Sequence, residues 1–383
     1  MRKKICIVAT VPYSLVLFMR ELIAELSQYY DVTLICSGDG QELLGMLNER
    51  VKFVSVRIER KIAINIDIFS LFSLFRVFYR NKFDCVLSLT PKAALLAMTA
   101  AFISGISVRV HIFTGQVWIA KRGWMRRVLI WADKISASLA TNLLADSHSQ
   151  KTFLIAKKVV NKQKITVIGK GSISGVDTKR FKLNSPRRIV VRQQLGLRED
   201  DVVFLFLARL TIVKGVVDLA NAFAGITSVM PKAHLIVVGP DEEKLTPILE
   251  RIWVNCREKV HQISFTKAPE DYMSAADVFC LPSYLEGFSS ATIQAAGVGL
   301  PAIVSRIYGL EDAVESGVTG IFHEVGKISQ IQDAMQLLYA DHNLRKKMGL
   351  AAHYRAHSEF SQDLIVQSMS QFFGEILFTR EFH

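Results

Sequence analysis

Cysteine is scarce in this chain. Five are spread over 383 residues, at positions 6, 36, 85, 256 and 280, and none forms a Cys-x-x-Cys pair. That distribution excludes a disulfide scaffold and a clustered thiolate metal site. Cys6, Cys85 and Cys280 fall in apolar runs, which predicts buried free thiols in a reducing cytoplasm. Asp-x-Asp is missing altogether, so the common carboxylate pair that recruits a divalent cation is not available. Long apolar runs are missing too. None approaches the ~20 residues that cross a bilayer; residues 93–106 come nearest, and the run after Met1-Arg2-Lys3-Lys4 is too short for a signal peptide and reads as a first strand. Acid is in deficit, with 35 Asp and Glu against 47 Lys and Arg, for a net charge of +12. Such an excess points to anionic partners: nucleic acid, an anionic membrane surface or phosphorylated substrates. No nucleic acid is expected, because the chain has neither an aromatic-basic RNA signature nor zinc-finger spacing.

What is present is apolar residue in quantity, half of the sequence, over a length that suits two domains. Short apolar runs alternate with amphipathic stretches. In the first half, strands are expected at 4–9, 32–36, 51–56, 86–89, 109–113, 143–145 and 165–168, with helices at 14–28, 66–79, 93–104 and from Ser149. This alternation predicts an α/β chain with a parallel sheet. Phe69, Phe72, Phe75 and Phe78 recur at spacings of three in the second of those helices and are read as core. Gly169, Gly171 and Gly175 superficially match a dinucleotide fingerprint. The last glycine is one place late and no helical pattern follows, so that reading is rejected. Asn184-Ser185-Pro186 has linker composition. Beyond it, strands are expected at 202–207, 235–238 and 261–265, a helical first turn at Asp241-Glu242-Glu243, and helices at 187–195, 270–274, from Ile328 onward and at 364–377.

The densest signal lies in residues 276–324. A buried strand at 278–281 is stopped by Pro282, and a loop carries one acid, Glu286, then Gly287 and Phe288. Ser289 and Ser290 suit a helix N-cap, residues 291–296 form a short helix closed by Gly297, and a second strand follows at 301–304 before a glycine turn at Gly309. Strand, polar loop, helix N-terminus and strand make a doubly wound unit, which binds ligands at the carboxyl ends of its strands and anions at its helix N-termini. A lone acid beside an anion site suits a ligand anionic at one end and hydroxylated at the other, as a sugar nucleotide is. Arg209 and Lys214 follow the strand at 202–207, where two fixed cations can neutralise a diphosphate without a metal. His111, on an apolar strand ahead of Thr114-Gly115-Gln116, is a candidate site residue in the first half.

PSYLEGFSSATIQAAGVGLPAIVS resembles the signature of family-four glycosyltransferases of the GT-B fold. Glu286 matches the first acid of that signature; Gln294 stands where the family has a second Glu, and Ser289 replaces its usual glycine. GLEDAVESGVTGIF, the segment GKGSISGVDTKRF and HIFTGQVW are similar to further family segments. The resemblance implies two Rossmann-like domains facing a cleft: residues 1–185 binding the acceptor, 186–360 binding the donor, and 361–383 as a helix packed back on the first. It implies a retaining, metal-independent glycosyltransferase using a nucleotide sugar, UDP-linked by the family's example, with no other cofactor. His111, Arg209, Lys214 and Glu286 would be its catalytic residues. Gly239, Lys267, Gly287, Phe288, Ser289, Ser290 and Gln294 would complete the donor site, Glu286 meeting sugar hydroxyls and Gln294 the ribose. Trp118, Lys121, Arg122, Trp124, Arg126, Arg127 and Trp131 interleave aromatics and cations, with Gln116 just ahead of them as a further acceptor-site residue. They suit an interfacial patch that meets anionic lipid and a polyprenyl-diphosphate-linked glycan acceptor at the inner face of the cell membrane. The alternatives are a nucleotide-sugar epimerase of the same fold and a non-catalytic sugar-nucleotide binder.

Overall fold

The computed structural model describes residues 2–40, 44–45, 47, 49–59 and 62–378. The chain forms two compact units. The first comprises the described residues up to Gly175 and from Gln362 onward; the second is Val176–Ser361. The chain therefore changes unit at Gly175, ahead of the linker expected at residues 184–186, which lies inside the second unit. The reason is local: Val176 donates its N–H to the Phe360 carbonyl at 2.7 Å and bridges in parallel to Ser361, so the second unit's two ends are pinned together.

The first unit holds a seven-stranded sheet, β1 (Lys4–Val8), β2 (Asp31–Cys36), β3 (Val51–Ser55), β4 (Cys85–Leu89), β5 (Val108–Phe113), β6 (Asn142–Ala145) and β7 (Ile165–Val167), in the order β3-β2-β1-β4-β5-β6-β7. Every pairing is parallel. Both faces are covered, which is why β1 and β4 are almost continuously apolar rather than alternating. One face carries α1 (Pro12–Tyr29) and the chain's last helix, α14 (Gln362–Phe378), whose Ile365, Met369 and Phe373 share a core with Leu15, Met19 and Leu22. The other carries α2 (Ile64–Asn81), α3 (Pro91–Ile103), α4 (Gly123–Leu139) and α5 (His148–Ala156). The phenylalanine stripe on α2 is not the core stripe expected of it. Phe78 is buried, but Phe69 and Phe72 are 66% and 61% exposed. A spacing of three falls short of a 3.6-residue turn by roughly 60° per step, so such a row walks around the helix instead of staying on one face.

The second unit has β8 (Val202–Leu207), β9 (Ala233–Val238), β10 (Val260–Ile263), β11 (Val278–Leu281), β12 (Ala302–Ser305) and β13 (Gly320–His323), in the parallel order β10-β9-β8-β11-β12-β13. Helices α6 (Arg187–Gln194), α7 (Val216–Ile226), α8 (Thr246–Ile252), α9 (Pro269–Ala275), α10 (Ser290–Gly297), α11 (Leu310–Ala313), α12 (Ile328–Ala340) and α13 (His342–Glu359) wrap it. Both units are doubly wound Rossmann-like folds. Asp241-Glu242-Glu243 is loop rather than a helical turn. The helix begins only at Thr246, and the Asp241 carboxylate accepts from the N–H groups of Leu245 and Thr246 at its start, at 2.8 and 2.9 Å. No helix follows the Gly169–Gly175 glycines until α6, consistent with rejecting a dinucleotide site there. All five cysteines are buried free thiols.

Candidate active site

In the second unit the strand order reverses between β8 and β11, which leaves a crevice at their carboxyl ends. The chain leaves β8 through Arg209 into a 3₁₀ turn, Ile212–Lys214, then reaches α7 through Gly215. Gly215 has φ +74°, and a Cβ there would fall 1.9 Å from the Pro282 carbonyl oxygen, so only glycine lets this turn lie against the loop after β11. Hydrogen bonds then join the two segments: Tyr284 N–H and Ser283 Oγ–H both donate to the Val213 carbonyl, at 2.8 and 3.1 Å. That apposition brings Lys214 Nζ to 2.6 Å from Glu286 Oε1, with Glu286 buried and Lys214 half-buried. Two residues far apart in the chain thus form one ion pair at the switch point.

The neighbouring loops close in from either side. Gly239 follows β9 at φ +151°, where a Cβ would sit 1.9 Å from the Ala208 carbonyl oxygen. The loop beyond it supplies two acids expected in a helical first turn. Glu242 pairs with Arg209 at 2.8 Å, and Glu243 accepts the Ile212 N–H at 2.9 Å. Arg209 is half exposed, so this pair is a weak one that water screens. The structure therefore brings Lys214 and Glu286 together and leaves Arg209 engaged with Glu242. Gly287 is buried, and the Phe288 ring packs 5.5 Å from Phe360 against the core. Ser289 caps α10, accepting from Thr292 N–H at 3.3 Å and Thr292 Oγ1–H at 2.8 Å; Ser290 opens the helix and Gln294 lies half-buried on it. Lys267 is exposed after β10, and its carbonyl accepts from Arg180 at 2.7 Å. A cation, a carboxylate and a helix N-terminus together can take an anion on one side and hydroxyl groups on the other.

In the first unit His111 lies on β5 and is buried. Its Nδ1 is 3.0 Å from Ser88 Oγ and 3.2 Å from the Ser88 carbonyl, its partner position on β4. Burial, opposed by the Ser88 carbonyl, lowers its pKa to about 4, so the imidazole is neutral at neutral pH. Just past the carboxyl ends of β5 and β6, the Gln116 and Gln150 side chains both donate to the Thr114 carbonyl at 2.6 Å. Asp146, a residue not expected in the site from the sequence, follows β6 with its carboxyl buried and pushed up to about 8 by desolvation. The signal was there: an acid between an apolar strand and the Ser147 N-cap.

Trp118 does not belong to the interfacial patch expected of it. It is buried, donates its indole N–H to Asp133 at 2.8 Å and stacks on Phe153, so it is core rather than interface. It precedes the α4 surface, where the apolar Trp118 face finds α5 instead of solvent. Lys121, Arg122, Trp124, Arg126 and Arg127 are exposed as expected of a patch. Among the described residues no helix is long and apolar enough to cross a membrane, and no group of three or more His, Cys, Asp or Glu side chains could hold a metal ion.

Two doubly wound parallel units, the second with an ion pair at its switch point, have the architecture of the GT-B class. The family model for Glycosyltransferase Family 4 matches residues 16–180 and that for Glycosyl transferases group 1 matches residues 188–355, and the chain belongs to the family-four glycosyltransferases. Among its relatives, the capsular polysaccharide biosynthesis glycosyltransferase CapM of Staphylococcus aureus is 28% identical over 90% of both chains. A UDP-Gal:alpha-D-GlcNAc-diphosphoundecaprenol alpha-1,3-galactosyltransferase of Escherichia coli is 27% identical over 81% of this chain and 80% of the relative. The same fold occurs in Anabaena Alr3699/HepE, solved with UDP and glucose, at TM-score 0.81 and 18% identity over 98% of this chain and 100% of that one. It occurs also in WaaG, a glycosyltransferase involved in lipopolysaccharide biosynthesis, at TM-score 0.73 and 17% identity over 98% and 99%.

Proposed function

We propose that this glycosyltransferase moves a sugar from a UDP-sugar donor, with retention at the anomeric carbon, to a lipid-diphosphate-linked glycan in cell-surface polysaccharide synthesis. It would work peripherally at the inner face of the cell membrane. The observation that carries the donor reading is the Lys214–Glu286 pair at 2.6 Å beside the α10 N-terminus. Lys214, with Arg209 released from its exposed partner, would neutralise the leaving diphosphate, so the reaction needs no metal. Glu286 would accept hydrogen bonds from sugar hydroxyls, and Gln294 would meet the ribose. Neutral His111 and the Thr114–Gln116 segment would serve the transferred sugar and acceptor in the first unit. The donor and the lipid-linked acceptor are supported by the name of the Escherichia coli relative, which contains both.

Calorimetry with UDP tests the donor site. Gln294→Ala should weaken UDP by ~0.5–1.5 kcal/mol, the worth of a neutral hydrogen bond. Gln294→Glu should bind at least as well as wild type, and Glu286→Ala should spare UDP affinity while abolishing transfer. EDTA should leave the wild-type rate unchanged. A Gln294→Ala protein that binds UDP normally, or a strict need for Mg²⁺, would sink this map.

A further inference from the structure

Helices α2 and α4 expose apolar side chains in ordered stripes. On α2, Ile64, Ile68, Phe72 and Tyr79 recur at spacings of four, four and seven, which places them along one face, and they are 61–70% exposed. On α4, Trp124, Val128, Trp131 and Ile135 do the same at four, three and four, with the two tryptophans 71% and 65% exposed. The helices lie on the same face of the sheet, each packed against α3. Two such stripes on one face exceed the scattered apolar residues that a water-facing surface ordinarily shows.

Charge identifies what covers them. Each helix has one acid, and each acid is turned away from solvent: Asp67 of α2 pairs with Lys92 of α3 at 2.6 Å, and Asp133 of α4 accepts from buried Trp118. The exposed charges on the two helices are Arg76, Arg80, Arg126 and Arg127, all positive. A second copy of the chain would set these arginines against a like-charged rim. Apolar stripes with aromatic residues, edged only by cations, match the boundary layer of an anionic bilayer.

We propose that α2 and α4 together are the membrane-docking face of this protein, α2 entering the headgroup layer beside the tryptophan stripe of α4. The inference rests on the peripheral location proposed above and adds the element that inserts. Neither stripe requires a spanning helix, since an interfacial helix lies in the plane of the membrane.

Co-sedimentation of the full chain with phosphatidylcholine vesicles, with and without phosphatidylglycerol, tests it. Wild type should bind only the anionic vesicles, and less at high salt. Ile68→Gln/Phe72→Gln and Trp131→Gln/Ile135→Gln, which keep helix propensity, should each weaken that binding on the order of 10-fold or more while melting like wild type. UDP-sugar hydrolysis without vesicles should be the same in all three proteins. The proposal is overturned if the α2 variant binds vesicles like wild type, if wild type binds neither vesicle, or if wild type is a dimer that the variants convert to monomer. A wild type that docks on vesicles but hydrolyses no UDP-sugar would overturn the donor reading and leave the docking face standing.

Discussion

Removing one partner of the Lys214–Glu286 pair separates its structural cost from its chemical one. Glu286 has 9% of its side chain exposed and Lys214 18%, so Lys214→Met leaves a carboxylate with little water to replace the ammonium at 2.6 Å. Breaking a fully buried pair costs about 3–5 kcal/mol; partial access of Lys214 to solvent lowers the expectation here to about 2–4 kcal/mol. At about 2–4 °C per kcal/mol for a unit of this size, unfolding should move down by roughly 5–15 °C. Glu286→Gln should cost less, because the cation it strands is the more exposed partner. The double variant Lys214→Met/Glu286→Gln should recover most of the loss, since neither charge remains to be desolvated. Activity should not recover with it. Each variant should lose kcat on the order of 10²-fold or more if the cation stabilises the leaving diphosphate. Thermal unfolding followed by circular dichroism, together with turnover of UDP-sugar, gives both readouts on the same samples. Single variants that melt like wild type would show that the pair is not desolvated. A double variant that is stable and fully active would refute its place in the chemistry.

Acid sensitivity should trace in part to His111. Unfolded, it takes up a proton near its ordinary 6.5; folded, burial delays this until about 4. Its contribution is therefore whole above pH ~6.5 and is lost as pH falls toward about 4, so the drop in urea midpoint between about pH 7 and pH 5 should shrink in His111→Gln. Trp118→Phe keeps an aromatic ring, though a smaller one, against Phe153 but removes the donor to Asp133. It should destabilise the protein by about 1–3 kcal/mol and leave vesicle binding unchanged, whereas a surface tryptophan would show the opposite pattern.

The fold class was readable because its cause is local. Strands buried on both faces are continuous apolar runs, so β8 coincides with the run at 202–207 and the alternation with helices implies parallel sheets. The loop from Pro282 to the Ser289 cap was equally readable, since a proline stop, a glycine and a serine cap act within a few residues. Elements whose cause is tertiary were missed or misplaced. β13 is only four residues and gains its identity by pairing with β12, and Glu242 and Glu243 bind the loop after β8, leaving Asp241 alone at the start of α8.

Sequence by itself determined which residues could do chemistry here: a cation after one strand, an acid after another, a helix N-terminus behind it. Tertiary structure decided which of them meet. Lys214 and Glu286 touch because β8 and β11 are neighbours at the point where strand order reverses, and because Gly215 has no Cβ to hold the loops apart. It also decided which apolar residues are core. Trp118 turns inward and Phe72 outward, because burial depends on what a helix packs against, and periodicity records only that one of its faces differs from another.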